Sequence, residues 1–187
     1  APHERLVHYR VTDSREPRYW WSYSWQRENR VSEIWDAVRF ENPLDRPMTT
    51  APAMVVRDGL VLGQGMIYWT PPGGEVISNI TRSLSVAGVL SETPRSAERK
   101  KYEIEGRTIY RTPIDGEITL TNQRHEAVTV LVQVDYHGEL IEAKGAPDNR
   151  PRGSRSWDRS PANRLVWEIE LEPGEEKTLT YEYLTRS

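Results

Sequence analysis

LVWEIEL, residues 165–171, changes side-chain character at almost every step. In an extended chain successive side chains project to opposite sides. Leu165, Trp167, Ile169 and Leu171 then share one face, while Glu168 and Glu170 point the other way. A helix would scatter the same residues around its circumference, so the stretch reads as a half-buried strand. Lys177–Tyr183 repeats the pattern, with Leu179, Tyr181 and Tyr183 inward and Thr178, Thr180 and Glu182 outward. Val128, Val130, Val132 and Val134 form a third apolar row, and Ile118 with Leu120 a fourth. Strands of this kind bury their apolar faces against a second sheet. The expected fold class is all-β, an antiparallel β-sandwich.

Turn signals recur at short intervals between these rows. Asp58-Gly59 separates Met54-Val55-Val56 from Leu60-Val61-Leu62 and marks a two-residue hairpin, because both turn residues tolerate positive φ. Glu105-Gly106, Asp115-Gly116, His137-Gly138, Pro72-Gly73-Gly74 and Pro173-Gly174 read as further turns. Gly63-Gln64-Gly65 lacks the helix and third glycine of a dinucleotide loop and reads as a strand kink or bulge. Ser91–Lys101 could hold a helical turn, but Pro94 and its run of charges favour a loop.

The two halves of the chain echo each other. Val38-Arg39-Phe40-Glu41-Asn42 is followed by two strands and then Pro71-Pro72-Gly73-Gly74-Glu75. Ile118-Thr119-Leu120-Thr121-Asn122 is followed by strands and then Pro173-Gly174-Glu175-Glu176. Such an echo fits two immunoglobulin-like lobes, residues 1–95 and 96–187 with a boundary in 91–101, or one continuous domain.

Aromatic residues concentrate in Tyr19–Trp25 (YWWSYSW). As a strand this segment puts Tyr19, Trp21, Tyr23 and Trp25 on one face, which is core material, and leaves Trp20 among serines as a candidate surface contact. Trp35, Trp69 and Trp167 sit among apolar residues and read as core. Lys144–Asn163 breaks the alternation with four arginines, three prolines, two glycines and a lone tryptophan. Long irregular stretches inside compact domains are often binding loops. Arg150, Arg152, Arg155, Trp157 and Arg159 are therefore candidate interaction residues.

Catalytic patterns do not emerge. His3 and His8 lie five apart and would point oppositely on one strand, and His125 and His137 fall in expected turns. Glu168, Glu170 and Glu172 could converge on a cation, which keeps a metal-dependent hydrolase as a third reading, but they also describe the wet face of an amphipathic strand. The chain lacks a P-loop, a G-x-S-x-G elbow and an H-E-x-x-H helix. No cysteine is present, which excludes disulfides and thiolate chemistry. A net charge of −3 argues against nucleic acid as partner. No apolar run reaches the roughly 18 residues that a membrane helix needs.

The stretches VRFENPLDRPMTTAPAMVVRDGLVLGQGMIYWTPPGGEV (38–76), GEITLTNQRHEAVTVLVQVDYHG (116–138) and NRLVWEIELEPGEEKTLTYEYLT (163–185) together resemble a bacterial domain. It is the C-terminal β-rich domain of the mucoidy inhibitor A family. The shared elements are a strand ending in asparagine, the Asp58-Gly59 hairpin, a Pro-Pro-Gly turn, and a Pro-Gly-Glu turn before a Tyr-rich last strand. The resemblance implies a β-sandwich without an assigned catalytic site or cofactor. The expected function is a non-enzymatic module that contacts an unidentified protein, or a second copy of itself, in a periplasmic, cell-surface or extracellular setting. The alternative is a carbohydrate-binding module using exposed tryptophans.

Overall fold

The computed structural model describes residues 2–13, 30–104, 106–152 and 160–186. Thirteen strands are present among them: β1 (Glu4–Asp13), β2 (Arg30–Glu41), β3 (Ala51–Arg57), β4 (Leu60–Ile67), β5 (Glu75–Arg82), β6 (Val86–Pro94), β7 (Lys100–Ile104), β8 (Arg107–Asn122), β9 (Val128–His137), β10 (Glu139–Ala143), β11 (Asp148–Pro151), β12 (Ala162–Leu171) and β13 (Glu176–Arg186). A single 3-10 turn, Ser96–Glu98, separates β6 from β7.

The strands build the expected sandwich. One sheet runs β11-β12-β9-β1-β2-β5, and the facing sheet runs β10-β13-β8-β6 with β7 also on β8. The β3–β4 hairpin is a separate two-stranded sheet. These pairings are antiparallel except for β1, which lies parallel to β9 with Val7 opposite Val130 and Val11 opposite Val134. Strands from both sides of residue 95 share both sheets and one core, to which Tyr9, Val86, Ile118, Val132, Trp167 and Tyr181 all belong. The apolar row of 165–171 lies in this core, with Leu165 and Leu171 fully buried.

The internal echo is a repeated hydrogen-bond knot. The Asn42 amide nitrogen donates to the carbonyls of Arg46, Thr70 and Pro71, each at 3.1 Å. The amide nitrogen of Asn122 donates to Glu126, Leu171 and Glu172 at 2.9, 3.0 and 3.1 Å. Each Oδ1 accepts the backbone N–H two residues on, from Leu44 or Arg124, at 3.0 Å. The backbone N–H groups of Asn42 and Asn122 donate to the carbonyls of Gly74 and Glu175, and their carbonyls accept from Gly73 and Gly174. Gly73 and Gly174 hold φ of 68° and 75°. A proline at the preceding position and a positive-φ glycine are what a type II turn requires. Each knot ties a strand pair, β2–β5 or β8–β13, to a second pair, β3–β4 or β9–β12.

Several turn and loop expectations are corrected. Asp115-Gly116 is no turn but the middle of β8, where the Tyr181 ring lies across Gly116; a Cβ there would stand 2.2 Å from the ring. Glycine is needed to seat an aromatic, not to reverse the chain. Most of Ser91–Lys101 is strand, because β6 continues along β8 to Pro94, opposite Ile114. Asp148–Pro151 in the arginine-rich segment adds to β12 as an edge strand, where a proline is tolerated. Trp69 is exposed and Trp35 half-buried, stacked under the Arg82 guanidinium at 4.4 Å; only Trp167 of the three is core. Asp58-Gly59 forms the hairpin turn as expected, with φ of 51° and 78°.

Candidate interaction surface

The β3–β4 hairpin has two unlike faces. Ala51, Ala53, Val55, Gly63, Gly65 and Ile67 are half-buried, and the glycines lie against the open edge of β5. A Cβ at Gly63 would meet the Ile80 carbonyl oxygen at 2.2 Å, and one at Gly65 the Asn79 oxygen at 2.6 Å. Small residues are required on this side because backbone lies on backbone. The opposite face carries Pro52, Met54, Val56, Leu62 and Met66 in solvent, with Leu60 70% exposed at the tip. From Pro47 to Gly74 only Arg57 and Asp58 are charged, in a chain where 28% of residues are. With the exposed Gln64 among them, these side chains form a solvent-facing, charge-poor strand face.

The sequence-based candidates fall elsewhere. Trp20, Arg155, Trp157 and Arg159 lie outside the described residues. Arg150 is exposed on β11 and paired with Asp148 at 2.6 Å. Arg152 closes over Asp135, whose buried carboxylate also takes Arg164 at 2.6 and 3.1 Å. Asp135 is thus the centre of a structural ion cluster on the outer face of the six-stranded sheet. Arg152 serves that cluster.

The acidic strand face is likewise engaged. Arg39 reaches across the sheet to hold Glu168 through two nitrogens, at 2.6 and 2.8 Å, and Glu4 at 2.6 and 3.1 Å. These bonds lower the Glu168 pKa and raise that of Arg39. A guanidinium therefore occupies the role that a cation would have played beside Glu168. On the outer face of the other sheet, an open groove of about 440 Å³ is lined by Asp115, Glu117, Glu142 and Glu182. Arg95 pairs with two of these, Asp115 and Glu182.

His8 is buried in β1. Its Nδ1 lies 3.0 Å from Asn79 Oδ1 and its Nε2 3.3 Å from Gln133 Oε1. The reach to Asn79 passes over Ala37, which is small enough to allow it. A neutral ring donates at one nitrogen and accepts at the other, so one amide presents its NH₂ group. Burial lowers the His8 pKa against the opposing hydrogen bonds, and Arg10 and Arg164 lower it further. As pH falls through about 6.5, the unfolded chain takes a proton that the native chain refuses. Stability should then fall by up to about 1.4 kcal/mol per pH unit until the native ring protonates. Glu168 acts at lower pH, because its stabilisation is lost only below the ordinary carboxylate range. Urea denaturation at pH 7.0, 6.0 and 5.5 should show this loss in the native protein and a flatter profile in His8→Gln. Equal slopes would remove His8 as the source.

Among the described residues no helix is long and apolar enough to cross a membrane. Comparison with protein-family models, characterised proteins and solved structures finds no match for the chain.

Proposed function

We propose that this chain is a non-catalytic β-sandwich module that acts by protein–protein contact, in the bacterial envelope or outside the cell. The observation that carries the reading is the solvent-facing apolar side of β3–β4, held on a rigid sandwich by the Asn42 knot and the glycine contact with β5. Binding surfaces of this kind have an apolar centre poor in charge. Kinship with the C-terminal domain of the mucoidy inhibitor A family belongs to the same proposal, and the asparagine-ended strands and Pro-Gly turns support it.

A photo-crosslinking amino acid at Leu62, introduced in the organism of origin, should capture protein, whereas the same group at Glu117 should not. Equal labelling from both positions, or none from Leu62, would refute the reading. A carbohydrate-binding module has one observation in its favour, the 65% and 63% exposure of Tyr68 and Trp69. These are neighbours in sequence, so in extended chain their rings face opposite sides and form no common platform. Quenching of tryptophan fluorescence by a glycan, lost in Trp69→Ala, would favour this second reading.

A further inference from the structure

The two knots allow the β3–β4 hairpin to be laid on β9–β12 residue by residue. Met48 opposite Thr70 occupies the place of Val128 opposite Leu171. Six positions after each asparagine the first cross-pair forms, at the Met48 bridge or at Val128, and the registers then run together. Pro52 opposite Met66 matches Val132 opposite Trp167, and Met54 opposite Gln64 matches Val134 opposite Leu165. Val132, Val134, Leu165 and Trp167 are the buried heart of the sandwich. Their counterparts Pro52, Met54, Gln64 and Met66 face solvent. The second unit covers this face with the pair β8–β13; in the first, the hairpin instead turns its glycine side to β5.

We infer that the exposed face of β3–β4 is a dimer interface, covered by the same face of a second copy across a two-fold axis. This rests on the proposed contact function and names its partner. Three observations select a second copy. The face has the register of a core layer, so a β layer of the same kind fits it, as inward faces meet in a sandwich. Its net charge is zero, since Arg57 and Asp58 are its only charged residues and pair with each other at 3.6 Å, so two copies meet without net repulsion. Met54, Val56, Leu60, Met66 and Tyr68 are each 43–70% exposed, so the face offers ample apolar surface for a second copy to remove from water.

Sedimentation velocity from 1 to 200 µM tests the inference on the purified chain. The mass should rise from 21.7 kDa towards twice that value. Met54→Lys with Met66→Lys should weaken dimerisation about 100-fold or more, because unpaired ammonium groups would be buried at the interface. Both side chains are exposed in the single chain, so its circular dichroism and its urea midpoint at 1 µM should stay unchanged. Val89→Lys, at an exposed apolar site on β6, should leave dimerisation intact. A chain that stays monomeric at 200 µM overturns the inference, as does a dimer indifferent to the two lysines. Flotation with anionic phospholipid vesicles that the same two lysines abolish would reassign the face to a lipid surface and overturn it too. Leu62 crosslinks to a different protein would overturn the dimer while leaving the contact function standing, whereas absence of any protein crosslink would remove both.

Discussion

Asn122→Ala should destabilise the protein by about 3–5 kcal/mol, a large share of what a domain of this size commonly has. Its side chain is fully buried, and its NH₂ group serves three carbonyls while its oxygen takes the Arg124 N–H. Alanine removes every one of these partners at once, and a buried unpaired carbonyl is costly because it cannot regain water. Asn122→Asp should be at least as harmful at pH 7, since it places an oxygen where three carbonyls need donors. Chemical denaturation followed by circular dichroism measures both. Asn42→Ala removes the equivalent bonds around a hairpin that contributes little to the main core. Hydrogen exchange in that variant should quicken across β3 and β4 and stay slow in β9 and β12. Uniform acceleration would mean that the hairpin and core unfold as one unit.

Trp167→Ala should remove about 3–5 kcal/mol, the usual range for emptying a buried aromatic site. Trp167 is 2% exposed, its ring centre lies 6.1 Å from that of Tyr181, and its Nε1–H donates to the Lys144 carbonyl at 2.8 Å. It therefore joins the two sheets and also fixes the chain as it leaves β10. Trp167→Phe separates the two roles. It keeps most of the ring but leaves the Lys144 carbonyl without its donor, so a loss of about 1–3 kcal/mol is expected. A phenylalanine variant as unstable as the alanine variant would make the hydrogen bond, rather than the filled volume, the main contribution.

The sandwich was legible because its central strands obey simple alternation: 165–171 and 177–183 bury the faces that their patterns assign. Asn42 and Asn122 were visible as an echo, although their chemistry was not. A sequence shows an asparagine at a strand end but not the three carbonyls that converge on it from up to fifty residues away. The exposed apolar face of β3–β4 escaped notice for a different reason. In β3–β4 the covered side sets two alanines and two glycines beside Val55 and Ile67, and the exposed side holds methionine, leucine and valine, so hydrophobicity alone does not tell the faces apart. Asp115-Gly116 misled because a local turn signal and a seat for the Tyr181 ring require the same residue. Trp69 looked like core from its apolar neighbours, of which Met66 and Tyr68 are themselves exposed. His8 carries no local mark of burial; its setting is assembled from β5 and β9.

The parallel pairing of β1 with β9 has a consequence for how the chain is made. Residues 7–11 occupy the middle of the six-stranded sheet, between β2 and β9. Their second neighbour is synthesised about 120 residues later, a separation that places the fold among slow, high-contact-order topologies. Until β9 emerges, the β1–β2 hairpin presents an open edge and the apolar row Val7, Tyr9 and Val11 to its surroundings. Over the roughly 120 residues between β1 and β9 the nascent chain thus carries the aggregation hazard that the finished sheet removes.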